Sequence, residues 1–166
     1  MKGTAPFAKD KIVDWPTARQ IVSTWKEKGE KIVFTNGCFD ILHLGHVDYL
    51  EKARNLGNKL VLALNTDASV RRQGKGPERP LNDEYSRARL LASLFFVDLI
   101  VFFEEDTPYD IIAYLLPDIL VKGDDYSVST IVGADIVLAN GGAVETIPLV
   151  KGYSTTSLVN KIKNLK

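Results

Sequence analysis

Residues 31–65 read KIVFTNGCFDILHLGHVDYLEKARNLGNKLVLALN, and this stretch decides the fold. The apolar runs at 31–35 and 59–65 are short enough to be buried strands. Between them, residues 47–57 place apolar side chains at helical spacing and end on Gly57, a residue that commonly follows a helix. A strand, a helix and a second strand in this order predict two parallel strands joined by a crossover helix.

The same alternation continues on both sides of this unit. Further strands are predicted at 98–103, 118–123 and 143–149, and further helices at 16–28, 82–96, 108–116, 129–140 and 154–163. Asn82 is the expected N-cap of the helix at 82–96. Short apolar strands that alternate with helices are typical of a parallel sheet covered on both faces. The predicted fold class is therefore α/β, with a five-stranded parallel sheet and helices on both faces.

The composition limits size, location and partners. With 166 residues, 45% hydrophobic and 25% charged, the chain suits one globular domain over 1–166, with 1–10 expected as a flexible tail. Basic and acidic residues number 21 each, so no overall field would recruit nucleic acid or an anionic membrane. The single cysteine, Cys38, cannot form an internal disulfide, and no apolar stretch is long enough to span a bilayer. A cytoplasmic location is therefore expected.

Both histidines of the chain lie in residues 36–46, NGCFDILHLGH, which begin at the end of the first predicted strand. Ligands of parallel α/β sheets bind at this edge, and the helix that follows offers free N–H groups to a phosphate. His43 and His46 are three apart, so on a helical turn both imidazoles would project to one side, and Gly45 would let an anion approach the main chain. From the residues alone, ordinary surface or core histidines remain an alternative, as does a zinc site, although no third ligand is evident nearby.

The run GCFDILHLGH resembles the HxGH signature of the cytidylyltransferase-like nucleotidyltransferases. The resemblance implies a Rossmann-like, doubly wound sheet and transfer of a nucleoside monophosphate from ATP or CTP to a phosphorylated acceptor, with release of pyrophosphate. It also implies that His43 and His46 act on the triphosphate. Triphosphate chemistry in turn leads us to expect Mg²⁺ with the nucleotide, and the sequence shows no dedicated metal site on the protein. Because an acceptor phosphate is already an anion at neutral pH, such a site supplies positioning and positive charge rather than a general base.

Further site residues follow from the same resemblance. Lys75, in a basic loop, is expected to be catalytic with the two histidines, and Arg72, Arg79 and Arg87 are expected to bind the acceptor phosphate. The residues expected to bind the nucleotide are Asn36, Gly37, Cys38, Phe39, Gly45, Lys122, Gly123, Asp125, Gly152, Ser154, Thr155 and Thr156. Ordinary roles remain as alternatives for several of them: solvated loop residues at 71–79, a surface arginine at 87, a helix cap at 154–156 and a small apolar packing residue at 38.

Several runs resemble one branch of the family, the enzymes that adenylylate D-glycero-β-D-manno-heptose 1-phosphate for lipopolysaccharide core synthesis. These runs are IVFTNGCFDILHLGH, NTDASV, ERPLN, FEEDTP, PDILVKGDDY and GYSTTSLVNKI. Asp124 departs from this branch, where a second glycine is usual. The resemblance implies ATP and a sugar 1-phosphate as substrates, a separate sugar kinase in the same pathway and a homo-oligomer.

Two other functions remain as alternatives. One is a glycerol-3-phosphate cytidylyltransferase, although that branch usually carries RTxGIS where this chain reads LVKGYS. The other is a nucleotide-binding module that keeps the fold without turnover.

Overall fold

The computed structural model describes residues 7–165, which contain one sheet of five parallel strands in the spatial order β3-β2-β1-β4-β5. The strands are β1 (Ile32–Gly37), β2 (Lys59–Asn65), β3 (Leu99–Phe103), β4 (Ile119–Gly123) and β5 (Ala143–Ile147). Strands are added outward from β1 in one direction as far as β3 and then in the other direction. The switch point therefore lies between β1 and β4, and the predicted α/β, doubly wound parallel fold is confirmed.

Helices connect the strands. The α-helices of the described range are α1 (Trp15–Glu27), α2 (Leu44–Arg54), α3 (Asp67–Arg72), α4 (Glu84–Ala92), α5 (Tyr109–Leu115), α6 (Ala134–Ala139) and α7 (Thr155–Lys163). Two short 3-10 helices span Ala8–Lys11 and Val128–Thr130. Residues 1–6 of the expected tail lie outside the described residues. Lys11, which directly follows the expected tail, donates a hydrogen bond to the carbonyl of Leu94 over 3.1 Å.

The sheet divides the apolar core into two halves. Successive strand residues point to opposite faces, so Ile32 and Phe34 of β1 join one half and Val33 joins the other. Helices α1, α5 and α6 pack on the first face, and helices α2 and α4 pack on the second. The prediction of helices on both faces is confirmed, and burial of these side chains is the main term that stabilises the fold.

Local details differ from the sequence interpretation in three places. Helix α3 lies in a segment interpreted as loop, and Thr66 caps it by accepting a hydrogen bond from the N–H of Ser69. Helix α4 is capped by Asp83, which accepts from the N–H of Ser86, rather than by Asn82. The helix predicted at 129–140 is interrupted, because Gly133 takes a φ of +85° and α6 begins only after it.

Candidate active site

A cavity of about 720 Å³ lies at the carboxyl edge of the sheet, between the start of α2 and helix α7. It extends over the ends of β1 and β4, on either side of the switch point, where ligands bind in open α/β sheets. Most of the predicted site residues line it: Asn36, Gly37, Cys38, Phe39, His43, Gly45, His46, Lys75, Arg79, Lys122, Gly123, Asp125, Ser154, Thr155 and Thr156. The wall does not include three others from the predicted set, which are Arg72, Arg87 and Gly152.

The two histidines form a stacked pair at the start of α2. His43 is the N-cap, and its Nδ1 accepts a hydrogen bond of 3.4 Å from the main-chain N–H of His46. The ring centroids lie 3.7 Å apart with an angle of 21° between the planes, so both imidazoles project to one side as predicted. Gly45 permits this arrangement, because a Cβ there would lie 3.0 Å from Cε1 of His43 and 3.2 Å from Cβ of Tyr153.

Both imidazoles are held neutral near pH 7. Burial, and to a lesser extent the neighbouring His43, lower the pKa of His46 to about 4, with the Ile41 main chain opposing the shift. Burial also lowers the pKa of His43. The pair can therefore donate hydrogen bonds to an anion, while the first amides of α2 add a partial positive charge.

Two buried polar atoms in this wall lack a hydrogen-bond partner within the described residues, Oδ1 of Asn36 and Nδ1 of His46. Buried polar groups in folded proteins are nearly always paired, so such atoms need a specific explanation. Both residues line the cavity, so the two unpaired atoms lie in its wall although they are not themselves exposed to it.

The turn between β1 and α2 holds a strained residue. Phe39 takes a φ of +48°, which is uncommon for a side chain without a short polar group. Its ring packs edge-on against His46 with centroids 4.9 Å apart, and it covers Gly37 so closely that a Cβ at Gly37 would lie 2.8 Å from Cε2 of Phe39. Strain of this kind persists where surrounding contacts fix it, and here it holds the aromatic ring beside the histidine pair.

The end of β4 contributes a cation to the cavity. Nζ of Lys122 lies 3.4 Å from the carbonyl oxygen of Asn36 and 5.5 Å from the ring centroid of Tyr126. Burial lowers the pKa of Lys122 to about 8, and nearby Cys38 and Asp125 limit the shift. Lys122 is therefore largely charged at neutral pH, and it lies beside Asp125, which also lines the cavity.

The basic loop reaches the opposite side of β1. Nζ of Lys75 donates to Sγ of Cys38 over 3.3 Å, and this thiol also contacts Oε1 of Gln73 at 3.2 Å. The contact brings the predicted catalytic lysine to the residue that directly follows β1. Cys38 thus has a polar environment and is not simply packed among apolar side chains.

Helix α7 approaches the cavity with its N-terminus. Ser154 is the N-cap and accepts a hydrogen bond from the N–H of Ser157, while Ser154, Thr155 and Thr156 all line the cavity. Gly152 precedes the helix with a φ of +86° and forms the turn rather than the cavity wall. The expected S-T-T cluster is therefore placed as a second helix N-terminus facing the same space.

Sequence reasoning missed Asp40, which anchors the segment after the basic loop. Its buried carboxylate accepts hydrogen bonds from the N–H groups of Leu81 and Asn82, both over 2.9 Å, and pairs with Nε of Arg79 at 3.2 Å. Asn82 in turn donates from Nδ2 to the carbonyl of Asp40. In the sequence, the one indication of this role was that Asp40 is an acidic residue between two apolar residues, Phe39 and Ile41. The pairing orients Arg79 in the cavity wall.

Arg87 and Arg72 do not reach the cavity in this structure. The side chain of Arg87 is 0% exposed and donates to the carbonyls of Asn82 and Cys38 and to Oδ1 of Asp67 over 2.8–3.0 Å. Its donors are thus directed at protein groups, because α4 packs this side chain beneath the loop that follows β1. Arg72 pairs with Asp106 at 2.8 Å on the exterior. The structure therefore places Arg79 alone of the three arginines at the cavity.

The described residues also limit other kinds of site. Within 7–165, no group of three or more His, Cys, Asp or Glu side chains is placed to hold a metal ion. None of the helices in that range combines the length and the apolar character needed to cross a membrane.

Comparison with known proteins matches most of the chain, including this site, to a family. The family model described as cytidylyltransferase-like matches residues 34–160, a range that includes every cavity residue named above. The bifunctional protein HldE of Magnetococcus marinus is 57% identical over 157 residues, which are 95% of this chain and 32% of that protein. The protein of the same name from Mesorhizobium japonicum is 56% identical over 93% of this chain. The chain spans about a third of the length of these curated relatives.

Two solved structures are also similar to this chain. A lipopolysaccharide core biosynthesis protein from Thermoplasma volcanium is 32% identical with a TM-score of 0.60, and the match covers 76% of this chain and 100% of that one. A pantoate-beta-alanine ligase from Francisella tularensis has a TM-score of 0.56 over 93% of this chain and 78% of its own. At 16% identity the latter supports the fold alone.

Proposed function

The chain belongs to the cytidylyltransferase-like family, and on that premise we propose that it transfers AMP from ATP to D-glycero-β-D-manno-heptose 1-phosphate. Pyrophosphate leaves and ADP-heptose forms, as a precursor for lipopolysaccharide cores. Three findings support this: high identity to the HldE proteins, a structural relative named for lipopolysaccharide core biosynthesis, and the sequence runs that resemble the heptose branch.

The observation that carries the proposal is the stacked pair of neutral imidazoles at the start of α2. An oxygen of the acceptor phosphate attacks the α-phosphorus of ATP, a P–O bond forms there, and the bond to the β,γ-pyrophosphate breaks with its electrons. No proton has to be removed from the nucleophile. The protein has to align the two reactants and stabilise the charge that moves onto pyrophosphate. His43 and His46 donate hydrogen bonds to that charge, and the amides of α2 strengthen the effect.

The other cavity residues divide into two groups by their place on the sheet. Lys122 and Gly123 end β4 and Asp125 follows it, and with the start of α7 these residues would hold the nucleotide. Lys75 and Arg79 come from the loop after β2 and α3, on the other side of β1, and would hold the acceptor phosphate and the triphosphate. With this division, we expect the α-phosphorus to lie over the histidine pair, between the two groups.

Mg²⁺ fits this cavity as a companion of the nucleotide rather than as a resident ion. Of the carboxylates that line the cavity, Asp40 is occupied by Arg79 and two main-chain amides, and Glu78 lies in the basic loop beside Lys163. We therefore assign Asp125, on the proposed nucleotide side, to the ion. Mg²⁺ usually keeps several waters and binds through one or two carboxylates and substrate phosphates, and when bound it offsets charge on the triphosphate.

The proposal places the protein in a reaction sequence. A sugar kinase has to supply the 1-phosphate of the heptose, and both substrates point to the cytoplasm as the site of the reaction.

Pyrophosphate release tests the proposal. Purified protein with Mg²⁺ is given ATP or CTP together with heptose 1-phosphate or glycerol 3-phosphate, in all four combinations. Release with ATP and heptose 1-phosphate is expected. Release only with CTP and glycerol 3-phosphate would move the chain to the glycerol-3-phosphate branch, and release with no pair would indicate a binding module.

A further inference from the structure

Helix α7 crosses the cavity from the nucleotide side to the basic loop. Its N-cap, Ser154, lies near the start of α2, and Nζ of Lys163 at its other end lies 3.8 Å from Oε1 of Glu78 in the basic loop. The residues of α7 that line the cavity beyond its first turn are Val159, Asn160 and Lys163. With Thr156 they follow helical spacing, so one stripe of α7 faces the ligand space along its whole length.

Glu78 has no evident task in binding phosphates. It lines a cavity whose proposed substrates are both anions, and a carboxylate there repels them. Its partner Lys163 holds it only loosely, since the two side chains are 51% and 66% exposed, and exposed pairs of this kind contribute little to stability. A structural role in the fold therefore does not account for the position of Glu78.

Hydroxyl groups are the chemistry that fits this end of the cavity. A carboxylate accepts hydrogen bonds, an amide both donates and accepts, and an ammonium donates, and a sugar presents several hydroxyls that do both. Glu78, Asn160 and Lys163 bring these three groups together on the side of β1 where Lys75 and Arg79 lie. Lys75 and Arg79, which can bind a phosphate, thus lie near a carboxylate that can accept hydrogen bonds from the hydroxyls of a polyol.

We propose that Glu78, Asn160 and Lys163 are specificity-determining residues that bind the hydroxyl groups of the acceptor and select a polyhydroxylated phosphate ester over a small one such as glycerol 3-phosphate. This inference rests on the proposed function, and it names the part of the site that recognises the sugar. A site built to pair a substrate hydroxyl discriminates strongly against a ligand that lacks it, because its polar groups are then left without partners.

Steady-state kinetics of pyrophosphate release, with ATP and each acceptor varied in turn, test the assignment. Glu78→Ala and Asn160→Ala should each raise KM for heptose 1-phosphate at least about tenfold while KM for ATP changes less than about twofold. Glu78→Gln should recover part of the loss, because an amide oxygen still accepts. Lys163→Gln should act in the same direction, and Lys161→Gln on the same helix, which does not line the cavity, is the matched control.

The outcomes separate this inference from the proposed function. If the wild type uses heptose 1-phosphate but Glu78→Ala leaves its KM unchanged, or raises KM for ATP equally, the hydroxyl assignment is wrong and the proposed function stands. If the wild type uses only glycerol 3-phosphate, the proposed function fails, and the hydroxyl assignment fails with it.

Discussion

His43 caps helix α2 with its own ring, because Nδ1 accepts a hydrogen bond from the main-chain N–H of His46. A nitrogen that accepts carries no proton, so the proton of this imidazole is on Nε2, which is thereby a donor. Protonation of Nδ1 would remove the cap, and the positive His43 ring would then lie 3.7 Å from the His46 ring and oppose its protonation. The hydrogen bond and the stacking therefore both favour neutral donors at this position.

The first prediction concerns stability against pH. The pKa of His46 is about 4 in the folded protein against 6.5 as its ordinary value, so at pH 5 the unfolded chain binds a proton that the folded protein does not. The neutral His46 therefore leaves the free energy of unfolding undiminished above pH 6.5, and that free energy falls as the pH drops from 6.5 toward 4. Between pH 7.5 and 5.0, urea unfolding of the wild type should lose about 2 kcal/mol more than that of His46→Gln. An equal loss in the two proteins would contradict the shifted pKa.

The second prediction concerns catalysis by the same residue. His46→Ala removes a hydrogen-bond donor that acts on the charge of the leaving pyrophosphate, so kcat should fall by at least about 100-fold. Circular dichroism should show an unchanged fold. Leu44→Ala is the control, since Leu44 lies in the same turn of α2 but is exposed and outside the cavity wall, and its turnover should stay near that of the wild type. Near-normal turnover in His46→Ala would overturn the assigned role.

The third prediction separates two arginines. Arg87→Met removes a buried cation and leaves Asp67 and two carbonyls without their donor, so it should lower the free energy of unfolding by about 3 kcal/mol or more. Arg79→Gln should instead raise KM for the acceptor at least about tenfold with a smaller loss of stability, because Asp40 keeps its two main-chain donors.

Chemical denaturation and acceptor kinetics on both variants decide this comparison. Arg71→Gln, on the exposed surface of α3, serves as the control for loss of one positive charge. A stable Arg87→Met protein with a raised acceptor KM would restore the phosphate-binding role that the resemblance implies for Arg87.

The fourth prediction concerns Lys122 and ATP. Because its pKa is about 8, the Lys122 side chain is mostly a charged ammonium below pH 8 and loses its positive charge above that pH. KM for ATP should therefore be nearly constant up to about pH 7.5 and should rise through pH 9. Lys122→Met should have a raised KM with a flatter pH profile, whereas Lys151→Met, an exposed lysine outside the cavity, should behave as the wild type. A rise of the same size in Lys122→Met would assign the pH dependence to another group.

Local patterns account for the part of the fold that was predictable. Apolar runs, helical spacing and glycine stops depend on neighbouring residues, so strands β1 to β5 and the long helices were predicted within a few residues. Helix α3 is only six residues long and was missed, because its start depends on the single Thr66 cap. The break at Gly133 was missed because the same residue type also occurs inside helices.

By itself, the sequence determined that His43, Gly45 and His46 lie where a strand ends and a helix begins, since strand, turn and helix are specified by adjacent residues. Only the tertiary structure decided which arginine reaches the cavity. Arg79 and Arg87 are both plausible phosphate ligands in a linear sequence, but the packing of α4 under the loop after β1 buries Arg87 among protein acceptors. The pairing of Asp40 with Arg79 joins residues 39 positions apart, and such a contact exists only once the sheet has brought the two loops together.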